Sequence, residues 1–184
     1  MGESWGKMKK ILRTIFRNYI YKEFVKGFEL EGNEAVLEFG CKEGRLSKQI
    51  IKRLKEGGSL VCADISEDSF NLLNKFIMKH QNVNGLFGDI RKVQFSDILY
   101  DRVIIHDIFF SIQKEERITY VNYLLSIMKP EGKMQIIENI KNGDASSTEI
   151  RSTMRKAELI EKDYKFEKAK GAVLYVGEYH RKTV

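Results

Sequence analysis

Cysteine, proline and long apolar runs are all scarce in this 184-residue chain, and each shortage removes a class of explanation. The two cysteines, Cys41 and Cys62, fall in different expected elements and define no disulfide framework. No apolar run approaches the roughly 18 residues that a transmembrane helix needs. The N-terminal stretch MGESWGKMKKILRTIF lacks an unbroken apolar segment and a small-residue cleavage site. No signal peptide is therefore expected, and a cytoplasmic location follows by default. The single proline, Pro130, stands in KPEG (129–132), where it and Gly132 fit the second and last positions of a type I turn. Internal repeats and low-complexity linkers are missing as well.

What is present describes a soluble globular protein. Hydrophobic residues make up 42%, aromatics 11% and charged residues 32%. The length suits one domain with a sizeable core. A net charge of +6 admits an anionic partner such as nucleic acid, acidic lipid or a phosphorylated metabolite, and identifies none.

Residues 6–27 read as a helix. Met8, Ile11, Leu12, Ile15, Phe16, Tyr19 and Ile20 recur at helical spacing, with Lys9, Lys10, Arg13 and Arg17 on the opposite side. After a break at EGN (31–33), apolar strands alternate with amphipathic helices. Strands are predicted at 35–39, 59–63, 83–87, 100–107 and 133–139. Helices fill the intervals: one with Leu46, Ile50, Ile51 and Leu54 inward, one N-capped by Ser66, and one carrying Ile118 to Met128. A last helix opens on the capping-box spacing Ser146-x-x-Glu149. Strands at 164–169 and 173–179 close the chain around a short turn holding Gly171, which implies a hairpin. This alternation requires a mainly parallel sheet with helices on both faces, and the short loop makes the final pair antiparallel.

Ligands of such sheets bind beyond the carboxyl ends of the strands. Those ends carry Gly40 and Gly44, then Asp64, then Asp89, then His106 with Asp107. Gly40 permits a sharp turn and close backbone approach. Asp64 is placed to accept hydrogen bonds from a ribose diol. Asp89 would accept from an adenine amino group, with Ile65 or Ile90 lining the ring. Together they suit an adenosine, and no basic loop is assigned to a pyrophosphate. A dinucleotide fingerprint would need glycine at 40, 42 and 45, and Lys42 and Arg45 occupy two of those places.

From residue 34 onward the chain resembles the class I S-adenosylmethionine-dependent methyltransferases. VLEFGCKEG resembles their first motif, CADIS the acidic second and LFGDI the third. DRVIIHDIFF resembles the fourth-strand motif, and LLSIMKPEGKMQIIE the helix–turn–strand segment that follows. The resemblance implies a single α/β domain over 1–184, with a helical cap at 1–30 and a Rossmann-like core at 34–184. Its sheet would be open, seven-stranded and mostly parallel, in the order 3-2-1-4-5-7-6, with strand seven antiparallel. The implied cofactor is S-adenosyl-L-methionine. Gly40, Cys41 and Gly44 would form the loop along its methionine part, and Asp64 would bind the ribose. Asp89 would take the adenine amino group, with Ile65 and Ile90 on the ring faces. Glu38 would organise the loop and contact the methionine end, and His106 would lie near the methyl-transfer centre.

Methyl transfer from a sulfonium is a direct displacement, in which the protein aligns the reactants in a dry pocket. A general base is needed only when the acceptor is protonated at working pH. The catalytic candidates are His106 and Asp107. The fourth strand lacks the Asn/Asp-Pro-Pro-Tyr signature of amino methyltransferases, and no cysteine follows residue 62 to serve a pyrimidine C5 mechanism. Asp107, Glu138 and Asn139 imitate the acidic set of metal-dependent catechol-type enzymes, with Glu for Asp and a His before the acid; no metal is expected. A small-molecule acceptor is expected, with the N-terminal helix as its cover and Trp5, Tyr19 and Tyr21 as lining candidates. The basic charge leaves RNA as an alternative acceptor. Lys42 leaves open a non-catalytic binding protein that has lost cofactor affinity. The acceptor atom and the oligomeric state are not read from the residues.

Overall fold

Seven strands make one sheet in a computed structural model that describes residues 19–93, 99–140, 144–169 and 172–182. They are β1 (Ala35–Phe39), β2 (Ser59–Asp64), β3 (Val83–Phe87), β4 (Tyr100–His106), β5 (Met128–Asn139), β6 (Leu159–Ala169) and β7 (Ala172–Arg181). Their order is β3-β2-β1-β4-β5-β7-β6. The first five pair in parallel, and β7 runs antiparallel to both β5 and β6. The helices are α1 (19–27 of the described residues), α2 (Ser47–Ile50), α3 (Asp68–Lys79), α4 (Arg117–Ser126) and α5 (Asp144–Lys156). The fold expected from the sequence is therefore the fold observed. Residues 1–18, which include Trp5 and most of the predicted N-terminal stripe, lie outside the described residues. Among the described residues, no helix is long and apolar enough to cross a membrane.

The period-2 alternation of the central strands assigns the two faces. Leu37 and Phe39 of β1, with Val103 and Ile105 of β4, meet Tyr120, Val121 and Leu124 of α4 and Ile150 and Met154 of α5. Val36 and Ile104 point the other way, into a second cluster with Phe24 and Val25 of α1, Ile50 of α2 and Leu73 of α3. Both strands are buried on both sides, as a parallel sheet requires. The same alternation puts Glu38 and His106 on the face that α1 covers.

Several boundaries differ from the sequence reading. β6 begins at Leu159, five residues before the predicted 164: within the charged run 161–163 of this edge strand, Glu161 pairs with Arg151 of α5 and the ladder register shifts between Glu161 and Asp163. β5 is counted from Met128. The ladder pairs Tyr100 with Met128 and then Arg102 with Lys133, so KPEG loops out within the strand instead of preceding it. α2 is a single helical turn. α3 starts at Asp68 with no side-chain cap, and Ser66 donates its backbone N–H to Asp64. α5 starts at Asp144, and Glu149 accepts from Arg117 Nη1 at 2.6 Å instead of closing a capping box.

Gly40 is the tightest point between β1 and β4. Its φ is +100°, and a Cβ added there would lie 2.0 Å from the carbonyl oxygen of His106. Gly57 also has a left-handed φ, +88°, but an added Cβ meets nothing within 4 Å. Replacing Gly40 by Ala should lower the urea-measured unfolding free energy by roughly 2–4 kcal/mol, against about 1 kcal/mol for Gly57→Ala. Equal losses would show that backbone strain alone, and not the β1–β4 approach, sets the requirement.

Candidate active site at the ends of β1, β2 and β4

The loop after β1 is closed mainly against the end of β2. Gly40 N and Cys41 N both donate to Ala63 O, at 2.8 and 3.2 Å, and Gly44 N donates to Cys41 O at 2.7 Å. Lys42 N donates to Asp64 Oδ2 at 2.9 Å. These four N–H groups are thus taken within the protein and do not point at a bound anion, as a phosphate cradle would require. Gly44, at φ +72°, lies so close to α3 that an added Cβ would meet Leu73 Cδ2 at 2.2 Å. Both predicted glycines are demanded by neighbouring protein atoms.

Asp64 ends β2 almost fully buried, at 4% exposure. Besides Lys42 N, its carboxylate accepts from Ser66 N at 3.0 Å. Each oxygen retains lone-pair capacity for a further donor such as a hydroxyl. Lys42 adopts φ +47°, the left-handed region that favours glycine, and its ammonium pairs with the Asp107 carboxylate beyond β4. Asp107 is itself left-handed, at φ +48°. Beside them Glu138 of β5 accepts from Phe109 N at 2.9 Å. Burial, followed by the charge of Asp107, pushes the Glu138 carboxyl up to about 8, so it is protonated at neutral pH.

A buried polar chain runs beneath this pair. Ser47 Oγ donates to Glu38 Oε2 at 2.5 Å, and Glu38 Oε1 lies 3.0 Å from His106 Nδ1. His106 Nε2 lies 3.3 Å from the hydroxyl of Tyr21 on α1, with the rings edge-on at 5.2 Å. Glu38 is fully buried and His106 is 4% exposed. Of the lining candidates on α1, Tyr21 reaches the site and Tyr19 is exposed.

The predicted adenine end is organised differently. The Asp89 carboxylate accepts from Arg91 Nε at 2.9 Å, Arg91 Nη2 at 2.8 Å and Arg91 N at 3.1 Å, and Tyr120 Oη lies 3.3 Å away. The Arg91 guanidinium holds Asp89 low, at about 2. It also stacks over the Tyr120 ring at 4.1 Å. Ile90 is fully buried in the core, and Ile65 packs half-buried against the same cluster. Cys41 is buried; contact with the Cys62 thiol, then burial, pushes its thiol far above the ordinary value, which excludes a thiolate nucleophile.

The site therefore gathers Glu38, Gly40, Asp64, His106 and Asp107 at adjacent strand ends, with Asp89 one strand out and tied to Arg91. Sequence reasoning missed Ser47 as the partner of Glu38, Arg91 as the partner of Asp89, and the link between Lys42 and Asp107. Only Asp89-x-Arg91 left a local trace, as an acid and a base two residues apart. Among the described residues, no group of three or more His, Cys, Asp or Glu side chains is arranged to hold a metal ion. Of the site's carboxylates, Asp89 and Asp107 are paired with Arg91 and Lys42 and Glu38 is held by Ser47 and His106, whereas Asp64 accepts from two backbone amides and keeps capacity for a ligand hydroxyl.

A family model described as a methyltransferase domain matches residues 36–132, more than half of the chain. Solved structures are similar over most of their length. A SAM-dependent methyltransferase from Aquifex aeolicus superposes with a TM-score of 0.71 at 18% identity, covering 86% of this chain and 88% of that one. The N-methyltransferase NodS from Bradyrhizobium japonicum, in complex with S-adenosyl-L-homocysteine, gives 0.68 at 13% identity, covering 83% and 80%. A TehB-like SAM-dependent methyltransferase from Corynebacterium glutamicum gives 0.65 at 14%, covering 88% of each. At such identities these likenesses describe the fold alone.

Glu138 gives the site a pH signature. Its carboxyl rises from 4.5 to about 8 on folding, so the folded chain binds this proton more tightly than the unfolded one. Its contribution is fully present below pH 4.5 and is lost as pH rises through 8. Glu138→Gln keeps a carbonyl acceptor for Phe109 N and removes the titration. The variant should gain thermal midpoint relative to the parent at pH 8.5 and not at pH 5; a constant difference across that range would refute the assignment.

Proposed function

The chain belongs to the methyltransferase-domain family, and from that premise we propose that it transfers the methyl group of S-adenosyl-L-methionine to a small-molecule acceptor. The observation that carries this reading is the loop after β1, where the amides of Gly40, Cys41, Lys42 and Gly44 are turned to protein acceptors while Asp64 keeps capacity for a hydroxyl. Such a site disfavours a pyrophosphate and favours a positively charged sulfonium with a ribose diol. In this reading Asp64 accepts from the diol and the backbone of Gly40, Cys41 and Gly44 borders the methionine part. Asp89 takes the adenine amino group with the capacity left by Arg91, between Ile65 and Ile90. Asp107 faces the ammonium end, Glu38 holds His106 from beneath the loop, and His106 is the general base. When bound, the cofactor supplies an activated methyl on a positively charged sulfur; the protein supplies alignment and exclusion of water.

One observation favours a second reading, a binding protein without methyl transfer. Lys42 spans from the loop after β1 to Asp107 beyond β4, across the strand ends where the ligand would enter. Calorimetry with S-adenosylmethionine and S-adenosylhomocysteine separates the two. The methyltransferase binds both, and Asp64→Asn weakens each by about tenfold or more while remaining folded, the loss typical of a charged hydrogen bond. No binding at millimolar ligand would sink the enzyme reading. Binding regained only in Lys42→Gly would assign the loss to that lysine.

A further inference from the structure

We propose that the second half of β6 is a self-association edge, through which two copies of this chain pair antiparallel about a two-fold axis at Phe166. β6 is the last strand of the sheet, and among the described residues no strand pairs with its outer side. Such an edge offers unpaired N–H and C=O groups to another strand, and most proteins blunt it. Here only the first half is blunted, by the register shift between Glu161 and Asp163. From Asp163 to Ala169 the ladder with β7 is regular, residue against residue. That stretch leaves two large apolar side chains in solvent, Tyr164 at 42% exposure and Phe166 at 44%. Neither hangs loose. Tyr164 stacks on Tyr175 at 6.1 Å and lies under the Arg151 guanidinium at 4.6 Å, and Phe166 meets Tyr175 edge-on at 5.9 Å. Tyr175 is fully buried, so both exposed rings are held in place before any partner arrives.

The charges say which partner fits. Glu161, Lys162, Asp163, Lys165, Glu167 and Lys168 bring three acids and three bases to one strand. A polyanion would meet as many repulsive groups as attractive ones, whereas a second copy of the same strand can match them. Opposite residues of an antiparallel pair share a face, so the two-fold axis must fall at a residue and not between two. An axis at Lys165 sets that lysine against itself and Asp163 against Glu167. An axis at Glu167 sets that acid against itself, and one at Tyr164 runs into the register shift beyond Asp163. At Phe166 the axis sets ring against ring, Tyr164 against Lys168, and Lys165 against Glu167. Each of these cross-strand pairs is favourable. Within one copy Lys165 Nζ already lies 3.0 Å from Glu167 Oε1, so the axis joins two such pairs into a ring of alternating charge. A two-fold contact uses up the edge and stops at a dimer. The edge is short, which places the interface in the small, reversible class.

Sedimentation equilibrium of the full chain over about 5–500 µM should show monomer and dimer in exchange and no larger species. Lys165→Glu and Glu167→Lys should each weaken the dimer about tenfold or more, because each puts like charges opposite one another twice. An equimolar mixture of the two variants restores opposite charges at both places and should associate as tightly as the parent. Both side chains are exposed, and circular dichroism checks that each variant is folded. A monomer at the highest concentration, growth beyond a dimer, single variants that associate like the parent, or a mixture no tighter than either variant alone overturns the proposal. So does a monomer whose Tyr164 and Phe166 resonances shift with added oligouridylate, which would give the edge to single-stranded nucleic acid instead.

Discussion

The Asp64 carboxylate takes one backbone N–H from Lys42 and another from Ser66, and so ties the loop after β1 to the loop after β2. With Ala63 O accepting from both Gly40 and Cys41, the two strand ends behave as one unit. Everything else at the site is placed relative to it. The inward turn of these amides removes an anion cradle, and most of the nearby carboxylates are matched inside the protein: Asp89 by Arg91, Asp107 by Lys42, and Glu38 by Ser47 and His106.

Lys42 complicates that matching. A lysine at φ +47° stands where glycine is conformationally cheapest, at a cost of roughly 1 kcal/mol. An exposed pair such as that with Asp107 returns at most about the same. Stability therefore gives no strong reason for the residue, which leaves its ammonium above the strand ends as its distinguishing property. Beside it, burial keeps Glu138 protonated next to the Asp107 carboxylate.

The fold was legible because its signals are local and repeat. β1 and β3 lie where alternation places them, residue for residue, and the glycine loop, the acids and His106 fall at strand ends in the expected order. The misses share a cause. β6 was hidden by charges that only an edge strand can carry, and nothing within 159–163 says that the strand is an edge. The roles of Ser47 and Tyr21 depend on contacts 9 and 85 residues apart in the chain, made by packing two helices onto one face of the sheet. Asp89 was read as open toward a ligand because sequence shows its place but not that Arg91 reaches back to it. Side-chain pairing across elements is a product of packing, and periodicity carries no record of it.

Gly40 has a meaning beyond the site. Its missing side chain is required by the carbonyl of His106, an atom of the same protein, whether or not any ligand passes by. Selection for a folded sheet is therefore enough to hold glycine at this position. A descendant that abandoned chemistry altogether would keep it, and the loop would still look like a cofactor motif. The glycine is a record of strand spacing.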